Sequence, residues 1–385
     1  VFRLLRIAQK NESEVMKSKV FQKYLMPGFV FQSVVIAGGY GTGRELVEYF
    51  LSFGPLGGLL GMLTVTAVIW SLLLALSFEF ARISRAYDYR SFFQNMLGRY
   101  WFLFEIVYFI LLCIVLAVIG SAAGVLIRDN LFLPYIAGVA LTMAIIGFLA
   151  FKGSPLIAKF LSSWSIVLYF AFGAFLCVSL LKFGPSIQER FFNSTIDPSW
   201  ILGGFKYALY NIAVIPAVLF CVKGIETRKE AISAGLLGGL IGIFPGLLLY
   251  IALVSFYPAV LTEEIPVVYV LKQTEFPLLL IIFQIVLFGA LITTGIGFIH
   301  SVNERIHKAK RIKGREFPAW QRPLVAIGLL CLGMGLSTVG LINLIAKGYG
   351  TISWGFFVVY AIPLTTLGLV KIVREKRSPR EILTK

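Results

Sequence analysis

The sequence predicts an all-α integral membrane protein with ten transmembrane helices. Three observations carry this. Of 385 residues, 58% are hydrophobic and 14% charged; mean hydropathy is +0.87; and apolar stretches of membrane-crossing length recur along the whole chain. A bilayer core about 30 Å thick takes roughly 20 apolar residues per helix. The stretches are 22–53, 56–81, 100–126, 133–150, 154–181, 199–222, 231–256, 277–301, 323–345 and 352–371, which leave little chain for a soluble domain.

Residues 1–21 lack the apolar core and small-residue cleavage site of a signal peptide, so they are expected to be a basic cytoplasmic lead-in. The net charge of +16 would suggest nucleic acid in a soluble protein. Here its distribution gives topology instead. With the connections assigned to alternating sides, 27 of the 35 Lys and Arg fall on one side and 5 on the other: Arg128, Lys182, Arg190, Lys272 and Lys347. Arg44, Lys159 and Lys206 lie within spans. Positive charge marks the cytoplasmic side, so both termini are expected there, as an even number of spans also requires. The compartment expected is an inner (plasma) membrane.

Span 1 starts inside and span 6 outside, so the chain divides into five-helix halves of opposite orientation, 22–181 and 198–371, followed by a basic cytoplasmic tail, 372–385. Both lead helices carry an interruption. Span 1 contains AGGYGTG at 37–43; span 6 reads WILGGFKYALYNIAVIPAVLF, with Asn211 followed by Pro216. Proline lacks an N–H and disfavours helix just before it. Irregular backbone is tolerated at membrane depth only where it lines a cavity, and paired interruptions in corresponding helices point to a midplane binding site.

A broken helix leaves unpaired N–H groups and a partial positive charge at the start of its second half, an end that binds anionic groups. Gly38, Gly39, Gly41 and Gly43 would let a ligand approach the backbone, and Thr42 adds a hydroxyl. Phe205, Tyr207, Tyr210 and Asn211 are candidates to line the cavity beside the second interruption. The first half of span 1 ends oppositely, with carbonyls around Ala37 and Tyr40 suited to a small cation. Arg44, Glu45 and Glu48 follow within about a turn. Charges at this depth need water or a partner, so these three are read as an outer gate, an ion pair or coupling groups. The glycines of GPLGGLLG (54–61) and GLLGGLIGIFPG (235–246) read as close helix packing.

The run AGGYGTGRELVEYF resembles the opening helix of the amino acid/polyamine/organocation (APC) transporter superfamily. Its GTGRELVEYF portion is similar to the YkvI-like family of uncharacterised bacterial membrane proteins. The resemblance implies the LeuT-like fold, a 5+5 inverted repeat with broken helices 1 and 6, a bundle of spans 1, 2, 6 and 7, and a scaffold of spans 3, 4, 8 and 9. It also implies a sodium site of the Ala37, Tyr40 and Ala290 carbonyls and the Thr293 and Thr294 hydroxyls. Ala290, Thr293, Thr294 and Gly297 do share one helical face by spacing. The competing reading is that threonine hydroxyls bond to their own helix. In some proton-coupled relatives a lysine takes the sodium's place, and Lys159 in span 5 is its candidate here.

Cys113, Cys177, Cys221 and Cys331 lie in apolar spans without metal or redox spacing. No H-E-x-x-H motif, Cys/His cluster or G-K-[ST] loop occurs, which leaves no catalytic constellation and no ATP-driven engine. The expectation is therefore a cation-coupled secondary transporter of a small organic solute, most simply an amino acid or zwitterion. Sodium symport is favoured over proton coupling, and a ligand sensor on the same fold is the rival. Expected partners are a small-molecule substrate and the lipid bilayer. No nucleic acid or organic cofactor is expected, and the oligomeric state is not set by sequence.

Overall fold

A computed structural model describes residues 20–36, 39–152, 154–312, 318 and 320–377, omitting the side chains at 150–152, 154–166, 304, 308, 309, 311, 312 and 375–377. Ala37, Gly38 and the side chain of Lys159 lie outside this description, as do residues 1–19 and 378–385. The described residues are helical, with no strand among them.

The chain enters through α1 (Met26–Val35), which ends at Ile36; a 3₁₀ turn at Tyr40–Thr42 and Gly43 then lead into α2 (Arg44–Tyr49). Then follow α3 (Pro55–Ser84), the short connecting helix α4 (Tyr89–Leu97), α5 (Phe102–Leu131), α6 (Tyr135–Lys152) and α7 (Ser154–Phe192). The second half contains α8 (Trp200–Gly224), α9 (Arg228–Val254), the short α10 (Pro266–Gln273), α11 (Pro277–Ile312), α12 (Gln321–Ser337) and α13 (Leu341–Arg374). Among the described residues, seven helices are long and apolar enough to cross a membrane; apolar Tyr135–Leu149 and Gln321–Ser337 are shorter.

The α9 helix sits at the centre of the packing, along both α3 and α1. A Cβ on Gly235 would lie 2.3 Å from the Ala75 backbone, and one on Gly239 2.4 Å from the Ser71 nitrogen. Only glycine permits this approach of α9 to α3, and it lets the Ser71 hydroxyl donate to the Leu236 carbonyl at 3.0 Å. The α1 helix crosses the same stripe, where Gly28 meets Gly238.

Pro245 lies inside α9 and cannot donate to the Ile241 carbonyl. The Gln32 side-chain amide, 4% exposed on α1, fills that vacancy at 2.8 Å. Tyr169 of α7 donates to the other end of the same amide at 3.0 Å. One residue of the broken helix thus ties α1 to α9 and α7.

The sixth span is interrupted where Asn211 and Pro216 lead one to expect it. Helix α8 runs as α-helix to Asn211, tightens to 3₁₀ geometry over Ile212–Val214, makes one α-turn at Ile215–Val218 and is 3₁₀ again over Leu219–Gly224. The physical reason is local. Pro216 cannot donate to the Ile212 carbonyl, and the Ile215 N–H takes that acceptor instead. On the α3 side, Thr66 donates to the Gly204 carbonyl at 2.9 Å and Trp70 to the Ala208 carbonyl at 3.1 Å. They anchor the helix on either side of Tyr207.

Candidate functional site

The break in the first helix is a compact turn. The Thr42 and Gly43 N–H groups donate to the Gly39 and Tyr40 carbonyls. Gly43 has φ +79°, a conformation glycine adopts without the Cβ penalty. A side chain there would also strike Val267 of α10, 2.8 Å away. The Thr42 hydroxyl donates to the Gly39 carbonyl and accepts from the Arg44 N–H. It therefore closes the turn and caps α2 rather than facing a ligand.

The expected anion-binding helix end also looks different in three dimensions. The α2 helix has six residues, so its dipole is small, and its own Glu45 sits in the first turn. Glu45 is 5% exposed and accepts a hydrogen bond from the Tyr210 hydroxyl of α8. A carboxylate already lies where an anionic group was expected.

Tyrosines surround this carboxylate. The Tyr210 ring stacks on Tyr349 of α13 at 4.7 Å and lies 5.8 Å from Tyr49 and 5.5 Å from Tyr207. Tyr49 donates to the Ile345 carbonyl at 2.7 Å, within a π-helical turn, Leu344–Tyr349, that is held against α2. Tyr207 is fully buried, with its hydroxyl beside that of the equally buried Tyr40.

The glycines of the break divide by direction. A Cβ on Gly39 would point between Val118 at 3.0 Å and Glu45 Oε1 at 3.1 Å, with the Tyr349 hydroxyl at 4.0 Å. One on Gly41 would instead meet Leu287 at 2.8 Å and Phe172. Gly39 therefore allows the Glu45 carboxylate to lie close against the break, whereas Gly41 allows close packing on α11 and α7.

Arg44 turns away from Glu45. Its guanidinium pairs with Glu48 at 2.7 Å and donates to the carbonyls of Leu261 at 2.6 Å and Glu263 at 3.2 Å. The three charges thus separate into a buried Glu45 and an Arg44–Glu48 pair that fastens the segment after α9 over the break.

Asn211 is buried beside the same cluster, and its amide donates to the Tyr207 carbonyl of its own helix. Phe205 is not brought to the cluster. It packs against Trp354 and Phe357 and lines an apolar groove of about 510 Å³ with Ile69, Leu73 and Leu209. Two residues along a helix are 200° apart, so Phe205 and Tyr207 face opposite ways.

Of the oxygens expected for sodium, that of Ala37 lies outside the described residues and the others are engaged within their own segments. Thr293 and Thr294 both donate to the Ala290 carbonyl, at 2.9 and 2.8 Å, and the Tyr40 carbonyl accepts from the Gly43 N–H. The threonines follow the own-helix pattern. Leu287, one turn before Ala290, meets Gly41, so this face of α11 does lie against the break.

No family model matches the chain. It is 25% identical over 300 residues to the uncharacterized membrane protein YkvI of Bacillus subtilis, covering 74% of this chain and 82% of that one. Among solved structures it resembles a single-substitution form of the Eremococcus coleocola manganese transporter: TM-score 0.56, 12% identity, 92% of this chain and 85% of that one. The same transporter bound to an aromatic bis-isothiourea substituted compound gives a TM-score of 0.51 and 15% identity, covering 94% and 88%. These likenesses show the fold. It is an all-helical membrane fold shared with that manganese transporter.

Sequence reading missed Tyr349 and Tyr49. A signal was present: GYGT occurs twice, at 39–42 and 348–351, and the fold brings both copies to Glu45.

Proposed function

We propose that the protein is a secondary active transporter of a small organic solute, an amino acid or related zwitterion, working by alternating access in the bacterial plasma membrane. The observation that carries this reading is the interrupted first helix, which presents a buried carboxylate to α8 in a fold used by transporters. Midplane sites beside discontinuous helices are the substrate sites of this class.

In this reading ten spans form two inverted repeats, 22–181 and 198–371, with both termini cytoplasmic. The bundle of α1–α2, α3, α8 and α9 rocks against the remainder, and Arg44 with residues 259–263 closes the outer side. Sodium is the coupling ion, held at Thr293 and Thr294 once their hydroxyls swing from Ala290; Lys159 is the site if the ion is a proton.

Uptake into proteoliposomes tests this. Accumulation of a radiolabelled amino acid above equilibrium under an imposed sodium gradient is the expected result. Saturable binding without accumulation under sodium or proton gradients would make the protein a sensor.

A further inference from the structure

We infer that the Glu45 carboxylate, with the tyrosines around it, is the recognition point for the protonated amino group of the transported solute. The substrate class is then amine-bearing solutes. The inference rests on the transporter reading and adds what that reading lacks, a chemical requirement on the substrate.

A buried carboxylate is costly unless a positive group or several donors compensate it. Among the described residues Glu45 has one neutral donor, Tyr210, and no Lys or Arg pairs with it. Its neighbour in sequence, Arg44, is committed to Glu48 and to two carbonyls. The missing positive charge is therefore not supplied by these side chains.

The surroundings suit an ammonium group. An ammonium brings three N–H donors and a compact charge. Glu45 offers the opposing charge, and the fully buried Tyr207 lies in the same tyrosine cluster, its ring 5.5 Å from Tyr210. The stacked rings of Tyr210 and Tyr349, with Tyr49 beside them, present π-systems that attract cations. On the Oε1 side, Gly39 supplies no side chain, and any Cβ there would crowd the carboxylate. A solute carrying only a carboxylate would meet like charge. A zwitterion would enter amino group first.

The experiment uses the full-length protein, wild type and Glu45→Gln, purified in detergent. Thermal unfolding is followed with the common amino acids and small primary amines, each beside its N-acetylated counterpart at equal concentration. The expected result is that one or more free amines raise the melting temperature of the wild type, their N-acetyl forms do not, and Glu45→Gln loses the shift. Equal stabilisation by N-acetyl forms, an undiminished shift in Glu45→Gln, or no stabilisation by any free amine overturns the inference. The comparison of free and acetylated amines is made in the wild type, so it stands even if the variant does not fold. Uptake separates the two proposals. Amine binding without accumulation would remove the transport reading and keep this site. Accumulation of an amine-free solute, unaffected by Glu45→Gln, would keep transport and remove this site.

Discussion

The side-chain amide of Gln32 donates to the backbone carbonyl of Ile241 at 2.8 Å, the carbonyl that Pro245 leaves without its helical partner. The bond links the half-helix before the break to the middle of α9, and Tyr169 extends it to α7. Gln32→Leu should therefore lower stability by about 1–3 kcal/mol, the usual range for leaving buried polar groups unsatisfied. Pro245→Ala restores an N–H for Ile241, so the same Gln32→Leu change should cost less in that background. Denaturant unfolding of the four proteins gives the coupling; equal costs in both backgrounds would show that the bond contributes nothing.

Arg44 should act as a clamp on residues 259–263. In Arg44→Ala the guanidinium bonds to Leu261, Glu263 and Glu48 are lost, and α10, which packs on Gly43, is released. A cysteine at Val267, in a background lacking the native cysteines, should react with a membrane-impermeant maleimide severalfold faster when Arg44 is replaced. An unchanged rate would exclude the gate.

Gly39 and Gly41 should give different phenotypes although they are two residues apart. Gly39→Val crowds Glu45 and Val118 and should abolish solute binding with a smaller effect on unfolding temperature. Gly41→Leu pushes into Leu287 and should mainly destabilise, by about 1–3 kcal/mol as overpacking does. Ligand-dependent thermal shift, measured beside the melting temperature without ligand, separates the two.

If sodium couples at α11, replacing both Thr293 and Thr294 by Ala should remove sodium-dependent stabilisation while the fold persists, since each hydroxyl now bonds within its own helix. Thermal unfolding across a sodium series is the measurement. Unchanged sodium dependence would transfer the coupling role to another group, with Lys159→Ala as the next variant.

Two helix glycines should respond oppositely to alanine. Gly239→Ala forces a methyl against the Ser71 backbone and should cost about 1–3 kcal/mol. A Cβ on Gly297 meets nothing within 4 Å, so Gly297→Ala should be neutral or gain up to about 1 kcal/mol from helix propensity. Unfolding temperatures of the two variants check both signs.

Membrane class, the first interruption and the close-packing glycines of α9 were legible because each follows from local rules: hydrocarbon thickness, backbone satisfaction in lipid and the size of a side chain. Those rules say what a segment must avoid. They do not say which way a side chain points after a break, and there the reading of the site changed. Thr42 turned inward to close its own turn, Gly41 became a packing contact, and Phe205 fell on the far face of its helix. Around Pro216 the interruption of α8 takes the form of 3₁₀ segments, because a neighbouring N–H takes the orphaned carbonyl.

By itself the sequence determined an apolar helical chain in a membrane, with a first helix that cannot run straight, since glycines and adjacent charges are incompatible with a continuous lipid-facing helix. Only the tertiary structure decided that Arg44 and Glu45, adjacent in sequence, part company. A step of about 100° per residue aims one at the segment after α9 and the other at tyrosines from α8 and α13. Those tyrosines lie more than 160 residues away in sequence, and only folding brings their rings around a single carboxylate.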